Sequence, residues 1–329
     1  MAPPDWQAVQ WDGGCGDGLF ITILFHHKRF HISILPPSSP ITIERQLLSK
    51  FDTINDDDQD EVLTVQKEIE DFVYEAGGSM WTQLAPLSPN NTELSDLHSL
   101  LYPETFSFYF VTKNGKAALV QYETDKVQYD AFGMKIVNDI NLPQYSSKDI
   151  RVLETLVGQG YITQVSVKGV EMCCKSGDDN FWQSIEREFD CLSKVARSKY
   201  GNKIRVPKLL GLVVSVDNGT IIGILEEFIP VGEPADLSEL DDGGIEASIE
   251  RRKKWGTQVQ ETVNLLHEIG VIWGDGKPHN VLIHGKTDDA WVVDFGGGYT
   301  EGWVDEELVE SLRGDEQAVG RVQKFLESC

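Results

Sequence analysis

The stretch Gly270-Val-Ile-Trp-Gly-Asp275-Gly-Lys277-Pro-His-Asn280-Val-Leu-Ile283 places a carboxylate, a lysine and a carboxamide close together, Lys277 two residues after Asp275 and Asn280 five after it. A second carboxylate follows in Trp291-Val-Val-Asp294-Phe295-Gly296-Gly297-Gly298. Carboxylate and carboxamide oxygens beside an ammonium offer a proton acceptor, hard oxygen ligands and a positive charge within one short stretch. Taken singly, each Asp or Asn is a common turn former. Turn formation explains each residue by itself but not the whole set in order.

Elements of alternating and helical periodicity must hold these residues. From Asp149 to Leu156 the pattern is a strand, followed by a glycine-containing turn, a strand, the Lys168-Gly169 turn and another strand. A helix over Asn180–Arg197 carries Phe181, Ile185, Phe189, Leu192 and Val195 on one face, with Asp178 or Asp179 as its cap. Strands near Leu209–Val216 and Thr220–Phe228 flank an Asp217-Asn218-Gly219 turn. Beyond Pro230 the spacing predicts helix, the longest running about Ile249–Ile269. Trp255, Val259, Val263 and Leu266 form its buried stripe and Gly270 its stop. That helix delivers the chain into the Asp275 loop.

In this order the motifs resemble the protein kinase-like superfamily, whose catalytic loop reads HxDxKPxxN and is followed by a hairpin and DFG. Fungal protein kinase-like sequences with DFGGG and GWVD strings are similar to Asp294–Gly298 and Gly302–Asp305. The resemblance covers roughly 149–329 and is strongest over 265–304. It implies an α+β, bilobal kinase-like fold with a truncated C-lobe, preceded by a small α+β domain. It further implies ATP and Mg2+ as cofactors. Asp275 would receive or orient the acceptor's proton, and Lys277 would contact the transferring phosphoryl group. Asn280 and Asp294 would ligate magnesium.

Upstream, Val157-Gly158-Gln-Gly160-Tyr-Ile-Thr163-Gln-Val165 resembles the glycine-rich loop over ATP, where glycines let backbone approach phosphate. Met172-Cys-Cys-Lys175 stands where the family has its phosphate-gripping strand lysine, and Glu188 where helix C carries that lysine's partner, with Glu186 close by. Glu227 and Phe228 fall in the hinge that would bind adenine through backbone. The implied activity is transfer of the γ-phosphoryl group of ATP to an unidentified hydroxyl acceptor. Two alternatives stay open: a pseudokinase acting as a nucleotide-binding or scaffolding module, and transfer of AMP.

The chain departs from the family in several places. Trp273 replaces the usual His, Gly274 stands where the family has Arg or Gly, and Thr163 replaces the third glycine. The span from Asp294 to about Asp305 is too short for a phosphorylatable activation segment. Asp305–Cys329 suffices for one or two helices, with Leu308, Leu312, Val319, Val322 and Phe325 as apolar stripes. A peptide-docking platform is therefore mostly missing, and the expected acceptor is a small molecule or an unusual surface.

A length of 329 residues suggests about two domains. The expected division is 1–145 as an accessory α+β domain, 146–229 as N-lobe and 230–329 as C-lobe, with Asn141–Lys148 as linker. In the first part, a hairpin is expected over Phe20–Leu35, a helix over Glu61–Ala76 stopped by Gly77-Gly78, and a second hairpin around Asn114-Gly115. His26, His27 and His31 there read as strand and turn residues rather than metal ligands. With 29 basic against 53 acidic residues, the net charge of −24 disfavours nucleic acid or an anionic membrane as partner. No basic, apolar leader opens the chain, and five cysteines show no CxxC pair. The expected location is cytoplasmic or nuclear, without secretion or membrane insertion.

Overall fold

The computed structural model describes residues 6–13, 16–39, 41–54, 58–86, 96–123, 133–158, 160–177, 179–240 and 245–328, apart from the side chains of 179 and 180. Its class is mixed α and β. Two compact units divide the chain: Met1–Glu93 with Tyr102–Tyr129, and Leu94–Leu101 with Asp130–Cys329.

The first unit carries β1 (Trp6–Gly13), β2 (Leu19–Phe25), β3 (Lys28–Ile34), α1 (Ile43–Phe51), α2 (Gln59–Gly77) and α3 (Met80–Leu84). In β2 alternate residues Leu19, Ile21, Ile23 and Phe25 are buried, the period of a strand with one face on a core. The β2–β3 turn is His26-His27, both left-handed with φ of 47° and 62°. His26 Nδ1 lies 2.7 Å from the Ala85 carbonyl and His31 Nδ1 3.1 Å from Thr22 Oγ1, so both rings serve the fold. On α2, Ile69 and Val73 are buried and Phe72 is exposed.

After α4 (Leu97–Leu101), which belongs to the second unit, the chain returns with β4 (Thr105–Lys113) and β5 (Lys116–Tyr122). These join through the Asn114-Gly115 turn. The sheet order is β1-β2-β3-β4-β5, with β3 and β4 parallel and the other pairs antiparallel.

The second unit continues with β6 (Gln144–Ser146), β7 (Arg151–Val157), β8 (Ile162–Val167), β9 (Val170–Ser176), α5 (Asp179–Arg197), β10 (Leu209–Val214) and β11 (Ile221–Glu227). Their sheet order is β6-β10-β11-β9-β8-β7. Then come β12 (Val231–Asp236), α6 (Ile249–Glu268), β13 (Val281–His284), β14 (Ala290–Val292) and α7 (Leu312–Ser328), with β12-β13-β14 forming a small antiparallel sheet. One hydrophobic core joins α5, β10 and β11 to α6, β13, β14 and α7 through Ile185, Phe189, Leu212, Ile224, Trp255, Trp273, Phe295 and Val319. Gly276 approaches α7 so closely that a Cβ there would lie 2.6 Å from the Ala318 methyl.

Four expectations need correction. The unit boundary does not fall at 145, because Met134 N–H bonds Ile221 carbonyl and Leu212 N–H bonds Pro143 carbonyl, both at 2.9 Å. The expected linker 141–148 contains β6, which pairs in parallel with β10. The chain after Pro230 is strand β12 and a 3-10 turn before it becomes helix. Phe181 and Leu312, expected in apolar stripes, are exposed. The α5 cap, Gln159 and Cys15 and Cys329 lie outside the described residues or side chains. Among the described residues Cys173, Cys174 and Cys191 are free thiols.

Candidate functional site

Strand β9 ends by turning Lys175 inward, where it is 5% exposed in a protein interior that tolerates ammonium only when paired. Its partner is Glu188 on the core face of α5, one residue before Phe189: Lys175 Nζ donates to Glu188 Oε2 at 2.5 Å. The other carboxylate oxygen, Oε1, accepts the Phe295 backbone N–H at 3.2 Å. One side chain thus ties the strand lysine to the segment carrying Asp294. Burial pushes Lys175 down, but the carboxylates of Glu188, Glu226 and Asp294 outweigh it and hold the ammonium well above its ordinary range.

Glu226 is a participant that sequence reasoning missed. It is 2% exposed on β11, opposite Cys173 of β9, and its Oε1 is buried without a hydrogen-bond partner. Burial and the charges of Glu188 and Asp294 push its carboxyl up to about 8, against the lowering effect of Lys175. No sequence signal marks it, since it sits beside Glu227 in an ordinary apolar strand. Tyr161, half-buried against Phe181 at 4.3 Å between ring centroids, senses the same charges.

The second cluster forms where α6 ends and the chain enters the Asp275 loop. Asp275 is 7% exposed. Its Oδ2 accepts Lys277 Nζ at 2.6 Å and its Oδ1 accepts the Thr300 hydroxyl at 2.8 Å. Lys277 also donates to Thr300 Oγ1 at 3.0 Å. Asn280 Nδ2 donates to the Asp275 carbonyl at 2.8 Å, which closes the loop on itself. Thr300 was not apparent from sequence, because only folding brings it back to the loop.

Beneath lies Asp315 on α7, 2% exposed, which accepts the N–H groups of Trp273 (2.8 Å) and Gly274 (2.9 Å) and faces His267 Nε2 at 2.8 Å. A buried carboxylate with three such partners fixes the loop's backbone. Trp273, fully buried, donates its indole N–H to the Val293 carbonyl at 3.0 Å.

The two clusters are linked. Val293 N–H donates to the Asn280 carbonyl at 3.0 Å, so Asp294 follows directly from a hydrogen bond to the Asp275 loop. Asp294 adopts φ 65°, the left-handed region. Such a non-glycine conformation costs about 1 kcal/mol and persists where surrounding structure imposes it.

Of the remaining expected residues, Gly158 and Gly160 form the β7–β8 turn, with Val157 paired to Ile162 across it. Gly160 is buried: a Cβ would lie 3.0 Å from Leu101 and 3.3 Å from Leu100 of α4. Its carbonyl accepts the Thr163 and Ser176 hydroxyls at 3.2 and 3.0 Å. Val165 is buried in β8. Glu227 N–H is spent on the Lys208 carbonyl at 2.8 Å, and its Oε2 is buried without a partner. Phe228, half-buried, follows the end of β11.

Asn280 and Asp294, the residues expected to ligate magnesium, each keep one side-chain oxygen open among the described residues. Among the described residues no three His, Cys, Asp or Glu are arranged to hold a metal. Magnesium is usually held by one or two protein oxygens together with substrate phosphates. Asn280 spends its amide nitrogen, but its Oδ1 accepts nothing among the described residues. Asp294 spends Oδ1 on Gly296 N–H at 3.3 Å, while its Oδ2 accepts nothing among them. With Glu226 holding its proton, two carboxylates, Glu188 and Asp294, still act on one ammonium, and that imbalance favours added positive charge.

A search against protein-family models and a search of curated proteins both returned no match to the chain. Among the described residues no helix is long and apolar enough to cross a membrane.

Proposed function

We propose that the second unit is an ATP- and magnesium-dependent phosphotransferase of bilobal, protein kinase-like architecture. The sheet β6–β11 with α5 forms its N-lobe, and α6, β12–β14 and α7 form a short C-lobe. It transfers the γ-phosphoryl group of ATP to the hydroxyl of a small molecule or protein. The observation that carries this reading is the two-ended carboxylate of Glu188, bonded to Lys175 and to Phe295 N–H, beside the Val293–Asn280 bond. Together they tie the strand lysine, the Asp294 segment and the Asp275 loop to one another.

In this reading Lys175 grips the α- and β-phosphates, and Gly158, Gly160 and Val165 cover the nucleotide. Glu227 and Phe228 lie along the adenine. Asn280 and Asp294 would hold magnesium through their free side-chain oxygens, and the ion would supply positive charge against the phosphates. The acceptor oxygen bonds the γ-phosphorus as the bond to the β–γ bridging oxygen breaks, and ADP leaves with that electron pair. Asp275, oriented by Lys277 and Thr300, receives the acceptor's proton. Lys277 offsets charge on the transferring group.

One observation favours a second reading, a nucleotide-binding or scaffolding module without turnover. Gly160 is packed beneath Leu100 and Leu101, with its carbonyl already bonded twice. A thermal-shift titration with ATP, with and without magnesium, addresses both. Magnesium-dependent stabilisation of the wild type that is lost in Asp294→Asn is expected, because a neutral amide replaces a hard anionic ligand of equal size. Equal stabilisation of the variant would contradict the metal assignment, and binding without ADP formation would support the module.

A further inference from the structure

We infer that Arg187 is a positioning residue that keeps this site assembled by a built-in ion pair, with no phosphorylation step; the inference rests on the phosphotransferase reading and concerns its regulation. Arg187 precedes Glu188 on α5 and projects onto both loops at once. Its Nη1 donates to the carbonyls of Phe295 and, at 3.4 Å, of Trp273, and its Nη2 donates to the Ile272 carbonyl at 3.3 Å. Its Nε lies 3.4 Å from Glu310 Oε2. A planar guanidinium can hold several acceptors in fixed directions, which a lysine cannot. Consecutive residues of one helix therefore secure the site: Glu188 holds Lys175 and Phe295 N–H, and Arg187 holds the carbonyls that bracket Asp275 and Asp294.

The glycines around this contact are explained by it. Gly274 lies immediately before Asp275 with φ 95°, and a Cβ there would sit 2.7 Å from Arg187 Nη2. Gly297 has φ 81°, and its Cβ would overlap Glu310 Oε1 and lie 3.2 Å from Arg187 Cδ. The guanidinium thus occupies the space that a side chain on the loop at 274 would need. The recess outside it, about 430 Å³, carries the carboxylates of Glu186, Asp190 and Glu310 against Arg187 and Lys194. That excess of negative charge disfavours a phosphate as the guanidinium's partner, and Glu310 fills the role.

The test compares full-length wild type, Arg187→Gln, Arg187→Lys and Glu310→Gln by hydrogen exchange and by steady-state kinetics with Mg·ATP. In both Arg187 variants, exchange is expected to rise in 271–276 and 294–298 while α6 stays protected. The expected kcat is about a hundredfold lower with KM for ATP within about threefold, the signature of lost orientation rather than lost binding. Glu310→Gln, at the surface, tests the pair without risk to the core and is expected to lower kcat about threefold. Unchanged exchange in both loops for Arg187→Gln, or full wild-type kcat in Arg187→Lys, would overturn the inference. A wild type that neither binds nor turns over Mg·ATP would defeat the phosphotransferase reading, and the exchange measurements would still decide whether Arg187 holds the loops.

Discussion

Glu226 shows how one buried carboxyl can report on a whole site. Its acid form is favoured by burial and by the neighbouring charges of Glu188 and Asp294, which push it up to about 8 from an ordinary 4.5. The folded protein therefore holds a proton that the unfolded chain releases, and stability falls as pH rises from about 4.5 to about 8. Glu226→Gln removes that slope. In denaturant titrations at pH 6 and pH 8.5, the variant is expected to gain stability relative to wild type at the higher pH. Parallel curves for the two proteins would contradict it. At this scale, sequence made legible the residues held in short, fixed spacings: Asp275, Lys277 and Asn280 in one loop, Asp294 after a hairpin, and Lys175 and Glu188, which the fold joins at 2.5 Å. Glu226, Thr300 and Arg187 stayed hidden, because each acquires its partners only from elements distant in the chain.

At the scale of elements, α7 anchors the Asp275 loop through Asp315. Replacing Asp315 by Ala would leave the buried N–H groups of Trp273 and Gly274 without their acceptor, along with His267. The expected cost is about 3 kcal/mol, or a midpoint lower by roughly 6 to 12 °C for a unit of this size. Thermal unfolding checks this, and a loss below about 1 kcal/mol would mean that the loop has another anchor. Periodicity revealed the long amphipathic elements, as with the Trp255, Val259, Val263 and Leu266 stripe of α6, all of it buried. It did not reveal β6 or β12. β6 has only three residues, Gln144-Tyr145-Ser146, too few for a period to emerge. β12 contains Gly232 and Pro234, which read as strand breakers.

At the scale of the molecule, two hydrophobic cores lie in separate units, one built on Trp81, Phe30 and Phe108, the other on Trp255, Trp273 and Phe295. Unfolding of the full chain is expected in two calorimetric transitions. Saturating Mg·ATP at a hundred times Kd should raise only the second unit's, by about 2.7 kcal/mol. A single transition shifted as a whole would argue against independent units. The boundary was hard to read because the second unit is discontinuous, taking α4 from within the first unit's stretch of sequence. Composition along a chain cannot display such an exchange.

The most direct test of the account is magnesium-dependent formation of ADP from ATP by the full chain, measured across a panel of hydroxyl metabolites and degenerate peptides. Asp275, oriented by Lys277 and Thr300, is the residue whose loss should matter most to turnover and least to binding. ADP formation is expected to require magnesium and to fall about a hundredfold or more in Asp275→Asn, with ATP affinity nearly unchanged. ADP formation at equal rates by wild type and Asp275→Asn, or none with any acceptor despite tight Mg·ATP binding, would contradict it.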